Sequence, residues 1–220
     1  MTLTNPIHQK TTQTLSSHEF VQQMQHAQED EEQFELVAGN MLALPAYRRQ
    51  MQIVRLLQWQ IQHLLSTQHQ TNNRAERNIF ETSVRPLVRL DDWNCFRPAI
   101  VVQRNSSATD KPETTAQETI WVIDVEAEAT SQNRIEIYAK ANIPNYWVLN
   151  INSIELHAYQ QLKEAGGYLN YRVLQVGDRH SPQGIPLTVM LQDPVPLHFM
   201  TRTLNGQQTY QSAALPLSFS

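Results

Sequence analysis

The chain has one cysteine, Cys95, in 220 residues, so no internal disulfide can form. No Cys/His cluster at zinc spacing surrounds it, and both a disulfide scaffold and a structural zinc module are excluded. A lone thiol fits a reducing compartment. No stretch approaches the roughly 18 to 20 consecutive apolar residues that a membrane span needs. Residues 1–10 are polar and lack the apolar core of a signal segment. These absences predict a cytoplasmic protein without a membrane partner. No internal repeat is present. A strongly basic balance is missing too: 17 Lys+Arg against 21 Asp+Glu leave a net charge of −4, with a pI ≈ 6.0, unlike a dedicated nucleic-acid binder. What is there, 40% hydrophobic and 8% aromatic residues, is a globular composition at a length that one core can close. A single α/β domain is expected.

The small net charge hides an uneven distribution. Residues 1–46 sum to −5, 47–104 to +5 and 105–220 to −4. All nine positive charges of the middle third are arginines: Arg48, Arg49, Arg55, Arg74, Arg77, Arg85, Arg89, Arg97 and Arg104. Arginine forks suit phosphate better than lysine does. An Arg-rich face is also an ordinary solvated surface.

Residues 1–15 carry Thr, Gln and Asn without periodicity and read as a flexible leader. Ser16 and Glu19 have capping-box spacing, which predicts a helix from Ser17 towards Ala27. The acidic run 29–32 follows and reads as solvated. Residues 34–37 and 41–44 form a predicted hairpin around a Gly39-Asn40 turn. Met51, Val54, Leu57, Ile61 and Leu65 recur at helical spacing and predict the longest helix over 46–67. Residues 79–90 read as extended, interrupted at Pro86, and 98–103 as a strand. A Ser/Thr/Pro/Asp loop between Arg104 and Glu118 is long enough to be a lid or an insertion. Residues 119–125 are apolar enough for a central strand buried on both faces. A helix over 130–141, ended by Asn142 and Pro144, and a strand over 146–151 complete a strand-helix-strand unit. Residues 154–160 and 168–176 flank Gly166-Gly167 as a closing hairpin. The remainder reads as Pro-rich and irregular.

These pieces fall in a recognisable order. Phe34-Glu35-Leu36-Val37-Ala38-Gly39 precedes the long helix, then come Arg97-Pro98-Ala99-Ile100-Val101-Val102 and Trp121-Val122-Ile123-Asp124-Val125. Arg134 and Tyr138 follow on a helix, then Ile143-Pro144-Asn145-Tyr146-Trp147. Over roughly residues 16–195 this order resembles the bacterial putative restriction-endonuclease family called Uma, of the PD-(D/E)xK nuclease superfamily. The resemblance implies a restriction-endonuclease-like core, a mixed β-sheet flanked by helices, with an N-terminal helix and hairpin. The domain would span 16–200 and leave an irregular tail over 201–220. It also implies Mg²⁺-dependent phosphodiester cleavage: Mg²⁺ demands converging oxygen ligands in octahedral geometry, and a nearby Lys orients or deprotonates water.

The chain departs from the family pattern at three places. Ala99 follows the Pro where the pattern has Asp, Asp124 stands for Glu, and Arg134, four residues before Tyr138, stands for Lys. Arginine cannot act as a base, although it can hold a phosphate. Glu35 alone is unchanged. Near the start of the long helix the pattern tends to carry a His, where this chain has Arg48, Arg49 and Gln50. The vestigial Ala99 position and the changed carboxylate and lysine point to a catalytically impaired nuclease that keeps a phosphate- or DNA-contacting cleft. Catalytic positions are then Asp124, Arg134 and Glu35, and the nucleic-acid contacts Arg48, Arg49 and Arg97. Asp124, Glu126 and Glu128 alternate onto one strand face, so Asp124 and Glu126 could substitute as Mg²⁺ ligands in an active endonuclease, with Glu35 or Asp91/Asp92. If the chain is inactive, no cofactor is implied.

Each residue also has a plainer reading. Glu35 could be a solvent-facing hairpin residue. Asp124, in an apolar strand, is costly to bury unless paired or metal-bound, and a salt bridge to Arg134 would explain both charges without catalysis. Glu126 and Glu128 read as wet strand-end residues, Tyr146 and Trp147 as core or rim aromatics, and His63, His69 and Lys140 as surface. Three functions stay open: an impaired nuclease fold that contacts DNA, an active Mg²⁺ endonuclease, and a protein-interaction scaffold. A homodimer is expected.

Overall fold

Trp121 to Val125 are five consecutive buried residues, and such a run must have cover on both faces. The computed structural model describes residues 14–25, 33–44, 48–71, 80–104, 113–126, 132–185, 187–191 and 197–201. In chain order they form α1 (Ser17–Gln25), β1 (Phe34–Val37), β2 (Asn40–Ala43), α2 (Arg48–Thr71), β3 (Phe80–Val84), β4 (Val88–Arg89), β5 (Cys95–Phe96), β6 (Ile100–Arg104), β7 (Thr114–Thr115) and β8 (Thr119–Glu126). Then follow α3 (Gln132–Lys140), β9 (Asn145–Asn150), β10 (Glu155–Leu162), β11 (Tyr168–Leu174), β12 (Arg179–His180), β13 (Leu187–Leu191) and β14 (Leu197–Thr201).

The central sheet has the order β11-β10-β9-β8-β6-β3. It is mixed: β8 and β9 run parallel, joined through α3, and the other pairs are antiparallel. A five-stranded sheet, β2-β1-β5-β4-β7, and a three-stranded one, β12-β13-β14, accompany it. Strand alternation splits the core in two. Trp121, Ile123 and Trp147 pack with Val54, Leu57, Ile61 and Leu65 of α2 and with Leu187, Val189 and Leu191. Val122, Tyr146 and Val148 pack on the other face with Ile135 and Tyr138 of α3 and with Val88 and Phe96. Phe20 and Val21 of α1 close over Leu36, Leu87 and Cys95. Trp121 and Trp147 meet edge to face at 4.7 Å, an arrangement worth about 1 kcal/mol beyond burial alone.

The α/β architecture and the order of its elements follow the sequence reading. The capping box is formed: Ser16 N and Oγ donate to Glu19 Oε2 at 2.9 and 2.7 Å, and Glu19 N donates to Ser16 Oγ at 3.3 Å. Asn142 ends α3 in the left-handed region (φ 61). Three details differ. The hairpin turn is Ala38-Gly39, one residue earlier than expected, since Val37 pairs with Asn40 and Asn40 Nδ2 donates to Ala38 O at 3.1 Å. Part of the long loop is ordered as β7, parallel to β4. Residues after 176, read as irregular, build the three-stranded sheet, because Leu187, Val189 and Leu191 alternate inward. The leader up to residue 13, the acidic run 29–32, the loop 105–112, Arg74, Arg77, Glu128 and the tail from 202 lie outside the described residues.

Candidate functional site

Two buried carboxylates face one guanidinium. Glu35 sits mid-β1 and Asp124 near the end of β8, each 4% exposed. Arg134 comes from the first turn of α3, which the β8-α3-β9 crossover lays over the same sheet face. Arg134 Nη1 donates to Glu35 Oε2 at 2.8 Å and Nη2 to Glu35 Oε1 at 3.1 Å, a two-pronged contact. Its Nε donates to Asp124 Oδ2 at 2.9 Å. The guanidinium stands 4.6 Å from the centre of the Phe96 ring, a cation–π contact, and Nη2 reaches Tyr138 OH at 3.4 Å.

The remaining lone pairs bind backbone and hydroxyl donors. Glu35 Oε1 accepts Arg97 N at 2.6 Å, and Asp124 Oδ1 accepts Ala99 N at 3.2 Å. The carboxylates thereby clamp the Arg97-Pro98-Ala99 linker between β5 and β6 from both ends. Tyr146 OH donates to Asp124 Oδ2 at 3.0 Å. Burial would pull the Arg134 guanidinium down, but the charge of Asp124, with Tyr138 and Glu35, outweighs it and holds Arg134 well above its ordinary value. Burial drives Tyr138 and Tyr146 well above the usual phenol range, so both stay neutral hydrogen-bonding groups. Burial also lowers Arg97, against the opposing pull of Cys95 and Glu35.

A cavity of ≈ 60 Å³ opens beside this cluster, lined by Glu35, Arg97, Ala99, Asp124, Glu126 and Arg134 among others. That volume holds a few water molecules or one small anion. Among the described residues the Arg97 side chain reaches Arg85 O, at 3.4 Å, and its buried Nε meets no partner.

The structure therefore brings Glu35, Asp124, Arg134, Ala99, Arg97 and Glu126 to one cleft. It does not bring Asp91 or Asp92 there. Both are exposed, and the Asp91 carboxylate caps its own turn by accepting Trp93 N and Asn94 Nδ2. Arg48 and Arg49 open α2, and their side chains lie outside the described residues. His63 stacks on the exposed Trp59 at 5.3 Å, and Lys140 is exposed. Sequence reasoning missed Tyr146, Phe96 and Arg85 as neighbours of the site. A signal for Tyr146 existed: in the parallel β8-β9 pair it lies opposite Val122, on the face that Asp124 shares.

A divalent cation needs carboxylate oxygens free to converge on it. Each of the two carboxylates here already accepts three hydrogen bonds, a fixed positive charge stands between them, and Ala99 has no side-chain oxygen. Among the described residues no three His, Cys, Asp or Glu side chains group as metal ligands. The donor set as folded does not fit Mg²⁺.

No curated protein is similar enough to this chain to count as a relative. Among solved structures, a putative nuclease belonging to DUF820 from Anabaena variabilis superposes with a TM-score of 0.53 at 15% sequence identity, covering 74% of this chain and 87% of that one. At that identity the likeness speaks for the fold. No helix among the described residues is long and apolar enough to cross a membrane. A family model described as Uma2, putative restriction endonuclease, matches residues 18–192, and the chain belongs to that family.

Proposed function

We propose that this member of the Uma2 family is a cytoplasmic homodimer that has lost efficient metal-dependent cleavage and uses its cleft to contact the phosphate backbone of DNA. Membership in a restriction-endonuclease-like family carries an expectation of divalent-metal use and a DNA substrate. The observation behind the loss is the Arg134 guanidinium, a fixed positive charge bonded to both carboxylates that a metal would need. Removing one metal ligand costs orders of magnitude in rate, because each tenfold is only about 1.4 kcal/mol of transition-state stabilisation. Here Ala99 has no side-chain oxygen and the lysine position holds a group that cannot deprotonate water. Backbone contact is supported by Arg97, a half-buried cation at the cleft wall, and Arg48 and Arg49 would extend that contact.

Calorimetric titration of the purified protein with Mn²⁺, beside the Asp124→Ala variant, tests the first half. No binding heat in either is expected. Heat that vanishes in Asp124→Ala would overturn the proposal and favour an active endonuclease using Asp124, Glu126 and Glu35. Fluorescence anisotropy of a plain duplex at rising salt tests the second half: Arg97→Ala is expected to weaken binding and lower the salt slope by about one unit. Absence of any duplex binding would overturn DNA contact and leave a protein-interaction scaffold.

A further inference from the structure

We propose that two copies of the chain associate through β11, pairing antiparallel about a twofold axis at Tyr171 so that two six-stranded sheets become one. The proposal gives a surface to the homodimer suggested above and rests on that reading alone, independent of the metal and DNA arguments.

The two edges of the central sheet are treated differently. At the β3 edge, Thr82 N donates to Gln62 Oε1 at 2.9 Å and Gln58 Nε2 donates to Thr82 Oγ1 at 2.8 Å, so α2 covers it. At the β11 edge, among the described residues, no strand or helix pairs with the outer side. Every residue from Leu169 to Val173 is exposed, including Leu169 at 62%, Tyr171 at 53% and Val173 at 41%. Native proteins blunt such edges with proline, lysine, bulges or short length. Residues 168–174 contain neither proline nor lysine, and Arg172 is their one charge. By contrast β2, an edge of the five-stranded sheet with Met41 and Leu42 exposed, is four residues long.

The identity of the occupant comes from the strand's own order of residues, Tyr-Leu-Asn-Tyr-Arg-Val-Leu. About an axis at Tyr171, Leu169 of one copy faces Val173 of the other, Tyr168 faces Leu174, and Asn170 faces Arg172. On the face of Leu169, Tyr171 and Val173 apolar meets apolar; on the other, Tyr168 meets Leu174 and the Asn170 amide meets the Arg172 guanidinium, with no like charges opposed. Moving the axis one residue to Arg172 would set two guanidinium groups against each other. The Tyr171 side chain leans inward over β10, its OH 2.8 Å from His157 Nδ1 and its ring stacked on Tyr159 at 4.7 Å, and so does not cross the outer side of β11. A closed, isologous pair follows, as twofold assemblies require.

Sedimentation and light scattering of the full chain are expected to give twice the 25.4 kDa of the monomer. Directly opposed antiparallel residues have Cα atoms about 4.5 to 5.5 Å apart, within disulfide range. Oxidation of Tyr171→Cys with copper phenanthroline and air should therefore yield a covalent dimer, and buried Cys95 will not compete. Asn170→Cys and Arg172→Cys should each stay monomeric on a non-reducing gel and cross-link when mixed. A wild-type mass of one chain at every concentration would overturn both the homodimer and this surface. A wild-type dimer that cross-links equally well at all three positions, or not at Tyr171→Cys, would overturn this surface and leave the homodimer standing. Circular dichroism of each variant confirms that the exposed substitutions leave the fold intact.

Discussion

Arg134 and Glu35 lie 99 residues apart in sequence, yet their side chains meet in a two-pronged contact at 2.8 and 3.1 Å. The same guanidinium holds Asp124, so one arginine ties the N-terminal hairpin, the central strand and α3 together. Removing its charge leaves two buried carboxylates facing each other. Breaking a buried pair in this way typically costs 3 to 5 kcal/mol. Arg134→Met, which keeps much of the volume, should therefore lower the melting temperature by roughly 10 °C at this chain length. The exposed carboxylate pair would then have room for a cation. Mn²⁺ should raise the melting temperature of Arg134→Met by mass action and leave the wild type unmoved; equal shifts in both would mean that Arg134 does not displace a cation.

Restoring the family's residues tests the placement of the cleft directly. Ala99 lines it and lends only its N–H, to Asp124 Oδ1. Ala99→Asp supplies the missing carboxylate, and Arg134→Lys withdraws the fork while keeping a charge. The double variant is expected to give Mn²⁺ binding heat where the wild type gives none, with plasmid nicking as the readout for cleavage. No gain in either would count against the alignment of Ala99 with the family's Asp.

Stability should decline on the alkaline side. Burial pushes the Cys95 thiol from 9.0 up to about 12 and the Tyr159 phenol from 10.0 up to about 12. It raises Tyr138, Tyr146 and Tyr168 further. A group whose folded value is raised keeps its proton longer in the folded state, so the unfolded chain binds fewer protons as pH rises. The contribution is complete below pH 9, begins to fade as the unfolded thiol and phenols titrate, and is lost towards pH 12 and above. Unfolding free energies from urea titrations between neutral and alkaline pH should fall through this window by an amount on the order of a few kcal/mol, most of it from the fully buried groups, since partly exposed Tyr159 is screened by solvent. Stability that stays flat from pH 9 to pH 12 would contradict burial as the cause.

The fold was legible where the period of the sequence is unambiguous. The α2 stripe from Met51 to Leu65 and the apolar run 119–125 fixed the two elements that sandwich the main core. The relation of Asp124 to Arg134 was legible as well, since an acid inside an apolar strand demands a partner and α3 offered a cation ten residues on. The hold of Glu35 on Arg134 was not, because it depends on β1 and α3 meeting across the sheet, and no local spacing encodes that. The C-terminal sheet was overlooked for a related reason. Pro182, Pro186, Pro194 and Pro196 read as breakers, yet Arg179–His180, Leu187–Leu191 and Leu197–Thr201 form strands, and the inward alternation at Leu187, Val189 and Leu191 carries the packing.

Beyond its apolar packing, that C-terminal sheet is joined to the central one by hydrogen bonds centred on Asn145 and Gln160. Asn145 is fully buried. Its Nδ2 donates to Ile120 O at 2.8 Å and Gln183 O at 3.0 Å, and its Oδ1 accepts from Gln183 N at 2.7 Å and Gln160 Nε2 at 3.1 Å. Gln160 in turn donates to Ser181 O and accepts at 2.8 Å from the His180 ring. Both donors and both acceptor sites of Asn145 are thus used, which is the condition under which a buried polar group stabilises rather than burdens a core. Asn145→Leu has nearly the same volume but leaves the partners of all four bonds without it. Each unsatisfied buried group costs about 1 to 3 kcal/mol, reduced where water or relaxation intervenes. The expected loss is about 2 to 4 kcal/mol in urea unfolding. Hydrogen exchange should place the earliest opening at residues 179–191, while α2 and β8 stay protected. A uniform rise in exchange across the whole chain would mean that the C-terminal sheet and the central sheet unfold as one unit.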